Sequence, residues 1–169
     1  VGGILANDFL QDVGFEVGKS AVDSRVANLT PLLKKGKIIL PTDVVVRNGS
    51  TKLVKHVDAL VREDSIVDVG PETIKNLVPI IQKAKLVVWN GPLGYYEEGF
   101  DKGTIALLKV IAESKATSII GGGDTAVIVE NLNIGGKFSF VSTGGGATLD
   151  YLANGTLPGI KAIINCKLR

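Results

Sequence analysis

Two triple-glycine turns are the parts of this chain best suited to bind an anion. Gly121-Gly122-Gly123 follows an apolar run that ends at Ile120, and Gly144-Gly145-Gly146 follows a second run that ends near Ser142. Glycine lets a backbone approach a ligand closely, and a helix that starts there offers unpaired N–H groups and a positive dipole end. Each turn alone is also typical of a tightly packed helix start, so the pattern leaves both interpretations open.

Asp124 directly follows the first turn and places a negative charge where a phosphate is expected. A carboxylate about 4 Å from a phosphate costs about 4 kcal/mol at an effective dielectric constant of about 20. A divalent cation between the two groups reverses the sign of that interaction. We therefore expect nucleotide phosphate and Mg²⁺ at this turn, the alternative being that Asp124 only caps a helix.

The composition is that of a soluble globular protein, with 169 residues, 45% hydrophobic and 21% charged. It predicts a single domain over residues 1–169. The net charge is +2 with scattered lysines and arginines, which argues against nucleic acid as a partner. No apolar run approaches the roughly 18 residues of a membrane span, and the single cysteine, Cys166, is compatible with a cytoplasmic location. The first residue is Val1 rather than Met, so we expect a piece of a longer protein.

Alternating apolar runs and helical stripes predict an α/β fold with a doubly wound, mostly parallel sheet, a Rossmann-like three-layer sandwich. Short runs of β-branched and aromatic residues, bounded by Gly, Pro or Asn, are typical of buried parallel strands. We predict such strands at Lys37–Leu40, Leu86–Trp89, Ser118–Ile120 and Phe138–Ser142.

Helical spacing of apolar residues predicts the elements between these strands. We predict helices over Ile4–Val13, over Ala21–Lys35, after Pro71 with a kink at Pro79, and over Asp101–Ser114. In the second helix, Thr30-Pro31 is equally able to cap and start a shorter one. Asn48-Gly49, between Asp43–Arg47 and Lys52–Val57, predicts a small antiparallel hairpin excursion beside the main sheet.

The glycines cluster where strands are predicted to end. Besides the two triplets, Gly2-Gly3 and the run 90–94 (Asn-Gly-Pro-Leu-Gly) occupy such positions, and Val1-Gly2-Gly3 is interpreted as the end of a strand outside this sequence. Sheets of this class bind ligands outside the carboxyl ends of their strands. Glycine at several converging strand ends favours a ligand over simple packing.

Three of these motifs occur in the order found in one enzyme family. The runs are Val88-Trp89-Asn90-Gly91-Pro92, Ile119-Ile120-Gly121-Gly122-Gly123-Asp124-Thr125 and Ser142-Thr143-Gly144-Gly145-Gly146-Ala147. Over about residues 1–163 the chain resembles the C-terminal, nucleotide-binding domain of phosphoglycerate kinase. The resemblance implies a glycolytic, cytoplasmic enzyme that transfers a phosphoryl group between ATP and 3-phosphoglycerate with Mg²⁺.

The resemblance also implies what this chain lacks. In the family the acceptor site lies on an N-terminal domain, so 3-phosphoglycerate is expected as a partner only together with that domain. The piece alone is expected to be inactive. The parent enzyme is expected to be monomeric, and self-association of the piece is left open.

The family's nucleotide contacts carry over onto matching positions. By resemblance, Gly2 and Gly3 line the adenine slot, Val67 contacts the base, and Glu97 binds the ribose hydroxyls, with the neighbouring Glu98 as the alternative. Asn90 and Pro92 follow the nucleotide and its phosphates.

The phosphate-side residues come from the two triplets. By resemblance, Gly122, Gly123 and Thr125 meet the phosphates and Asp124 binds the metal. Gly144, Gly145 and Gly146 aim helix N–H groups at the phosphoryl in transit, with Gly123, Gly145 and Gly146 as the catalytic set.

Two other functions compete with this assignment. One is a non-enzymatic nucleotide- or phosphate-binding module of the same fold, and the other is a phosphosugar-binding α/β domain, which has no need of a metal carboxylate. We assign no chemistry to His56 or Cys166, and Trp89 is interpreted as a core residue.

Overall fold

The computed structural model describes residues 1–23 and 28–166 of the chain. The chain divides into two compact units, Val1–Lys83 with Pro92–Val110, and Ala84–Gly91 with the chain from Ile111 onward. Within the described residues, no helix is both long and apolar enough to cross a membrane. The single domain over residues 1–169 stays a prediction.

The helices and strands follow one another along the chain as predicted for an α/β protein. The first unit contains α1 (Gly3–Asp12), α2 (Thr30–Leu33), β1 (Asp43–Asn48), β2 (Thr51–His56), β3 (Ser65–Val69), α3 (Pro71–Lys83) and most of α4 (Lys102–Ala112). The second unit contains β4 (Leu86–Asn90), β5 (Thr117–Gly121), α5 (Gly123–Asn131), β6 (Phe140–Ser142), α6 (Gly146–Asn154) and α7 (Pro158–Asn165).

In the first unit, β1 lies between β2 and β3 in an antiparallel sheet. The predicted hairpin is confirmed, because Asn48 pairs with Thr51 across a two-residue turn in which Gly49 has a φ of +57°. The third strand, β3, was not predicted. It is buried on both faces, so its sequence shows no apolar–polar alternation.

The core of this sheet is aliphatic. One face of β1 packs with residues from α1, the loops and β3, and together they form a buried cluster. Its members are Leu10, Val17, Val44, Val46, Val57, Leu60 and Ile66.

In the second unit, β4, β5 and β6 form a parallel sheet in that order. Three of the predicted parallel strands are therefore confirmed, and so is the α/β fold class with its antiparallel excursion. One expectation about burial differs: Leu86 and Val88 of β4 are 56% and 43% exposed.

The predicted strand Lys37–Leu40 is wrong, since these residues form no regular structure. An extended run becomes a strand only if another strand pairs with it, and no described strand does so here. The predicted helix Ala21–Lys35 is confirmed only as α2, which starts at Thr30 with Pro31 in its first turn. Residues 24–27, including Val26 of the predicted apolar stripe, lie outside the described residues.

The start of α3 is fixed by a carboxylate from β1. The buried Asp43 accepts hydrogen bonds from Glu72 N at 3.0 Å, Thr73 N at 2.6 Å and Thr73 Oγ1 at 2.7 Å. These bonds satisfy N–H groups that a helix start otherwise leaves unpaired. The helix then continues through Pro79 to Lys83.

Candidate functional site

The predicted site residues fall into two groups, one in each unit. In the second unit, the ends of the parallel strands are in register, with Asn90 opposite Gly121 and Gly121 opposite Ser142. Two further backbone bonds extend this ladder past the strands, from Gly91 N to Gly121 O at 3.2 Å and from Gly122 N to Ser142 O at 3.1 Å. The two glycine turns therefore start from one edge of the sheet.

Both turns lead directly into helices whose first N–H groups have no side-chain cap. Gly122 and Gly145 are the N-cap residues of α5 and α6, with φ values of +102° and +48°. A Cβ added to Gly145 would lie 4.0 Å from the Cα of Gly122, so the turns are neighbours. Two helix N-termini at one place, both without side-chain caps, provide hydrogen-bond donors and a positive potential for an anion.

Two buried polar atoms at this edge are unsatisfied. The Oδ1 atom of Asn90 and the Oγ1 atom of Thr125 have no hydrogen-bond partner among the described residues. Thr125 is fully buried in the first turn of α5. Buried polar atoms in native proteins are nearly always bonded, so each one left over needs an explanation, and a bound ligand or water is the usual one.

The surroundings of the glycines separate packing from ligand access. Gly144 is required by packing, since an added Cβ would lie 2.8 Å from Thr148 Oγ1. At Gly123 and Gly146, the first residues of α5 and α6, no described atom lies within 4 Å of an added Cβ. Packing of a side chain therefore does not explain the glycine at these two positions.

Asp124 lies in the first turn of α5 and is exposed. Among the described residues, no group of three or more His, Cys, Asp or Glu side chains is placed to hold a metal ion. Mg²⁺ is usually held by one or two carboxylates together with substrate phosphates and water, rather than by an all-protein cage. A single carboxylate beside two helix starts fits that mode of binding.

In the first unit, the structure brings Gly2, Gly3, Pro92 and Leu93 together. A Cβ on Gly2 would lie 2.5 Å from Leu93 Cδ2, and one on Gly3, whose φ is +61°, would lie 3.7 Å from the carbonyl oxygen of Pro92. A side chain at residue 2 would therefore require the Leu93 side chain to move. Gly2 and Gly3 thus lie directly against the segment that contains Pro92 and Leu93.

Val67 is joined to the same segment, because Tyr95 N donates to its carbonyl oxygen at 3.0 Å. Of the two neighbouring glutamates, Glu98 is committed to an ion pair with Arg47 at 2.5 Å. Glu97 is exposed on the short 3₁₀ turn Tyr96–Glu98. The geometry therefore leaves Glu97 as the one of the two whose carboxylate is not engaged by Arg47.

A buried carboxylate that the sequence did not single out as a site residue lies behind this segment. Asp68 accepts hydrogen bonds from Gly103 N at 2.8 Å and from Val69 N at 2.9 Å. Burial raises the pKa of Asp68 above its usual value, although these two bonds act in the opposite direction. Through the bond from Gly103 N, Asp68 caps the start of α4. The two residues are 35 positions apart, so no local sequence pattern predicts this contact.

Both residues that were assigned no chemistry, His56 and Cys166, lie at the surface. His56 is exposed at the end of β2 and pairs with Asp58 at 2.8 Å. Cys166 is exposed and is not in a disulfide.

Fold and site together define an α/β protein in which two helix N-termini lie side by side at the ends of the parallel strands. Residues 1–155 match the family described as phosphoglycerate kinase. The chain belongs to the phosphoglycerate kinase family.

Individual relatives agree with this assignment. The chain is 38% identical to a phosphoglycerate kinase of Pelotomaculum thermopropionicum, over 98% of this chain and 45% of that protein. It is 42% identical to one from Clostridioides difficile, over 98% and 44%. The solved phosphoglycerate kinase of Coxiella burnetii superposes with a TM-score of 0.84 at 38% identity, over 95% of this chain and 44% of that one. The chain thus spans less than half the length of the curated relatives it matches.

Proposed function

We propose that this chain is the ATP- and ADP-binding part of a phosphoglycerate kinase, which acts with Mg²⁺ in cytoplasmic glycolysis. The observation that carries the proposal is the pair of unsatisfied buried atoms, Asn90 Oδ1 and Thr125 Oγ1, beside two helix starts without side-chain caps. Family membership supports a nucleotide as the proposed ligand, and the two helix starts support the position proposed for its phosphates.

The two glycine turns are proposed to bind different phosphate groups. The N–H groups of Gly122 and Gly123, with the Thr125 hydroxyl, hold the nucleotide phosphates at α5, and Asn90 orients them from the end of β4. The N–H groups at Gly145 and Gly146 face the phosphoryl group that is transferred. Phosphoryl transfer depends on positioning and charge neutralisation more than on a protein base, so backbone donors are sufficient groups for this task.

Asp124 is the proposed protein ligand of Mg²⁺. When bound, the ion neutralises phosphate charge and offsets the repulsion between the carboxylate and the nucleotide. In the first unit, Gly2, Gly3, Val67 and Pro92 are proposed to contact the base and the adjoining part of the nucleotide, and Glu97 to bind the ribose hydroxyls.

The acceptor, 3-phosphoglycerate, is proposed to bind on residues other than these 169. The relatives extend over more than twice the aligned length, which leaves room for a second substrate site in them. We therefore expect nucleotide binding but no turnover from the 169-residue chain alone.

Complementation tests the proposal. The N-terminal part of the Clostridioides difficile enzyme that this chain does not match is prepared separately and mixed with the chain, and ATP-dependent consumption of 3-phosphoglycerate is followed. Turnover in the mixture, and in neither component alone, is the expected result. Nucleotide binding without turnover favours a non-enzymatic nucleotide-binding module, and absence of nucleotide binding contradicts the proposal.

A further inference from the structure

Segment 93–100 is a loop that is exposed at residues 97–99 and attached to the fold at defined points. It carries Glu97 on its 3₁₀ turn, and Phe100 N closes it by donating to Tyr95 O at 3.1 Å. Its orientation relative to β3 and α4 decides where the Glu97 carboxylate lies. The points at which the segment is attached therefore determine the position of the carboxylate that is proposed to bind the ribose.

Thr104 provides the attachment at the start of the segment. Its hydroxyl accepts a hydrogen bond from Leu93 N at 2.9 Å, and the residue is completely buried in the first turn of α4. Leu93 is also the residue that lies over Gly2. The Thr104 hydroxyl thus fixes the segment to α4 beside Gly2, which is proposed to contact the base.

Asp68 attaches α4 to β3. Its carboxylate bonds to the N–H of Gly103, the residue directly before Thr104. Space around this bond is minimal, because a Cβ on Gly94 would lie 2.8 Å from Asp68 Cγ and one on Gly103 would lie 2.6 Å from Asp68 Oδ1. Together with the bond from Tyr95 N to Val67 O, these contacts connect β3, α4 and the loop into one unit.

We propose that Thr104 and Asp68 are positioning residues for ribose recognition, which act by fixing segment 93–100 so that Glu97 meets the ribose hydroxyls. The inference rests on the proposed nucleotide-binding function. It adds two buried residues whose hydrogen bonds go to the backbone at Leu93 and Gly103, and it makes the ribose contact of Glu97 depend on those bonds.

The test compares ADP with 2′,3′-dideoxy-ADP, both with Mg²⁺, by titration calorimetry on the full 169-residue chain. We expect the wild-type chain to prefer ADP by about tenfold, the size of one hydrogen bond to a charged group. Glu97→Gln removes this preference. Thr104→Val, which has nearly the same shape but lacks the acceptor, is expected to reduce ADP affinity to the dideoxy level while affinity for dideoxy-ADP stays within about twofold.

Thr104→Ser is the matched control, because it keeps the hydroxyl and should restore most of the preference for ADP. Amide hydrogen exchange gives an independent readout: the Leu93 and Tyr95 amides should exchange faster in Thr104→Val, whereas β1 and β3 remain protected. If Thr104→Val does not fold, Asp68→Asn is used as the test variant. The Asp68 carboxylate accepts one N–H bond at each of its two oxygens, whereas the asparagine amide has a single acceptor oxygen and loses one of these bonds. This variant should lower the preference for ADP in the same direction.

The outcomes separate this inference from the proposed function. A Thr104→Val chain, or its Asp68→Asn substitute, with the wild-type preference for ADP overturns the positioning role and leaves nucleotide binding intact. A wild-type chain that binds both nucleotides equally overturns the ribose role of Glu97 and the inference with it. A wild-type chain that binds neither overturns the proposed function itself.

Discussion

The glycines of the two triplets have different surroundings, and only some of them are required by the backbone. Gly122 has a φ of +102°, and a Cβ there would lie 3.2 Å from Gly91 N. Gly123, the next residue, has neither a positive φ nor a described atom within 4 Å of an added Cβ. Two adjacent glycines therefore differ: the backbone conformation requires glycine at residue 122, whereas residue 123 has space for a side chain.

This difference predicts unequal effects of alanine. Gly122→Ala forces a side chain into a left-handed, crowded position and should lower the free energy of unfolding by about 1–3 kcal/mol. Gly123→Ala should change it by less than about 0.5 kcal/mol. Urea unfolding of both variants, measured by circular dichroism, checks the prediction, and equal destabilisation of the two would contradict it.

Glu97 and Glu98 show what a sequence can and cannot predict about single residues. The sequence identifies an acidic pair after Tyr95-Tyr96, but the choice between its members depends on Arg47, which lies 51 positions before Glu98. The sequence did not identify Thr104 and Asp68 as site residues for the same reason. Their hydrogen-bond partners are distant in sequence, since Gly103 N lies 35 positions after Asp68 and Leu93 N lies 11 positions before Thr104.

Among the elements, local signals were sufficient where the structure itself is local. The hairpin near Asn48-Gly49, the helical stripe of α3 and the strands before both glycine triplets were predicted correctly. The turn itself is shifted by one residue, to Gly49 and Ser50. The run Lys37–Leu40 and strand β3 were not, because pairing with another strand decides whether an extended run becomes a strand. The composition of a segment indicates that it can be extended, but it does not indicate whether another strand is available to pair with it.

Proline in α3 gives a prediction for one element. Pro79 lies inside the helix and is exposed, and it removes one backbone donor and crowds the preceding turn. Pro79→Ala should therefore raise the free energy of unfolding by about 1–2 kcal/mol, somewhat less than the roughly 3 kcal/mol penalty for an interior proline because the unfolded chain also gains freedom.

Pro71→Ala is the matched control, since Pro71 occupies the first position of the same helix, where proline is well tolerated. It should be neutral or destabilising by less than about 1 kcal/mol. Thermal unfolding of the two variants compares them directly. A Pro79→Ala chain that is less stable than wild type would show that the helix depends on its proline.

For the molecule as a whole, stability in acid should depend on Asp64. This fully buried carboxylate accepts hydrogen bonds from Lys55 Nζ at 2.7 Å, Val61 N at 2.9 Å and Asn48 Nδ2 at 3.0 Å. Burial acts to raise the pKa of Asp64, but the bond from Lys55 and the other two outweigh it and lower the pKa below 3.8. Its contribution to stability is therefore complete above pH 3.8 and is lost as the pH falls through the lowered pKa.

Asp64→Asn should flatten the acid limb of the stability profile and cost about 1–3 kcal/mol at pH 7, because the half-buried Lys55 loses its charged partner. Asp58→Asn, at an exposed site, serves as the control and should cost less than about 0.5 kcal/mol. Urea unfolding between pH 7 and pH 3 measures both. An unchanged acid limb in Asp64→Asn would refute the assignment.

Family membership and the sheet edge support the same proposed ligand, a nucleotide with its phosphates. The two glycine turns were identified from the sequence pattern, whereas the unsatisfied atoms of Asn90 and Thr125 were identified from burial in the structure. The sequence could not predict which polar atoms are left unsatisfied, since burial depends on the assembled fold.

The most direct test is calorimetric titration of the chain with ADP, in Mg²⁺ and in EDTA. We expect binding at least about tenfold tighter with Mg²⁺, a difference of about 1.4 kcal/mol. Asp124→Ala should abolish this metal effect, whereas Glu130→Ala, an exposed carboxylate near the other end of α5, should preserve it. Equal affinity with and without Mg²⁺, or a metal effect that survives Asp124→Ala, would contradict the account.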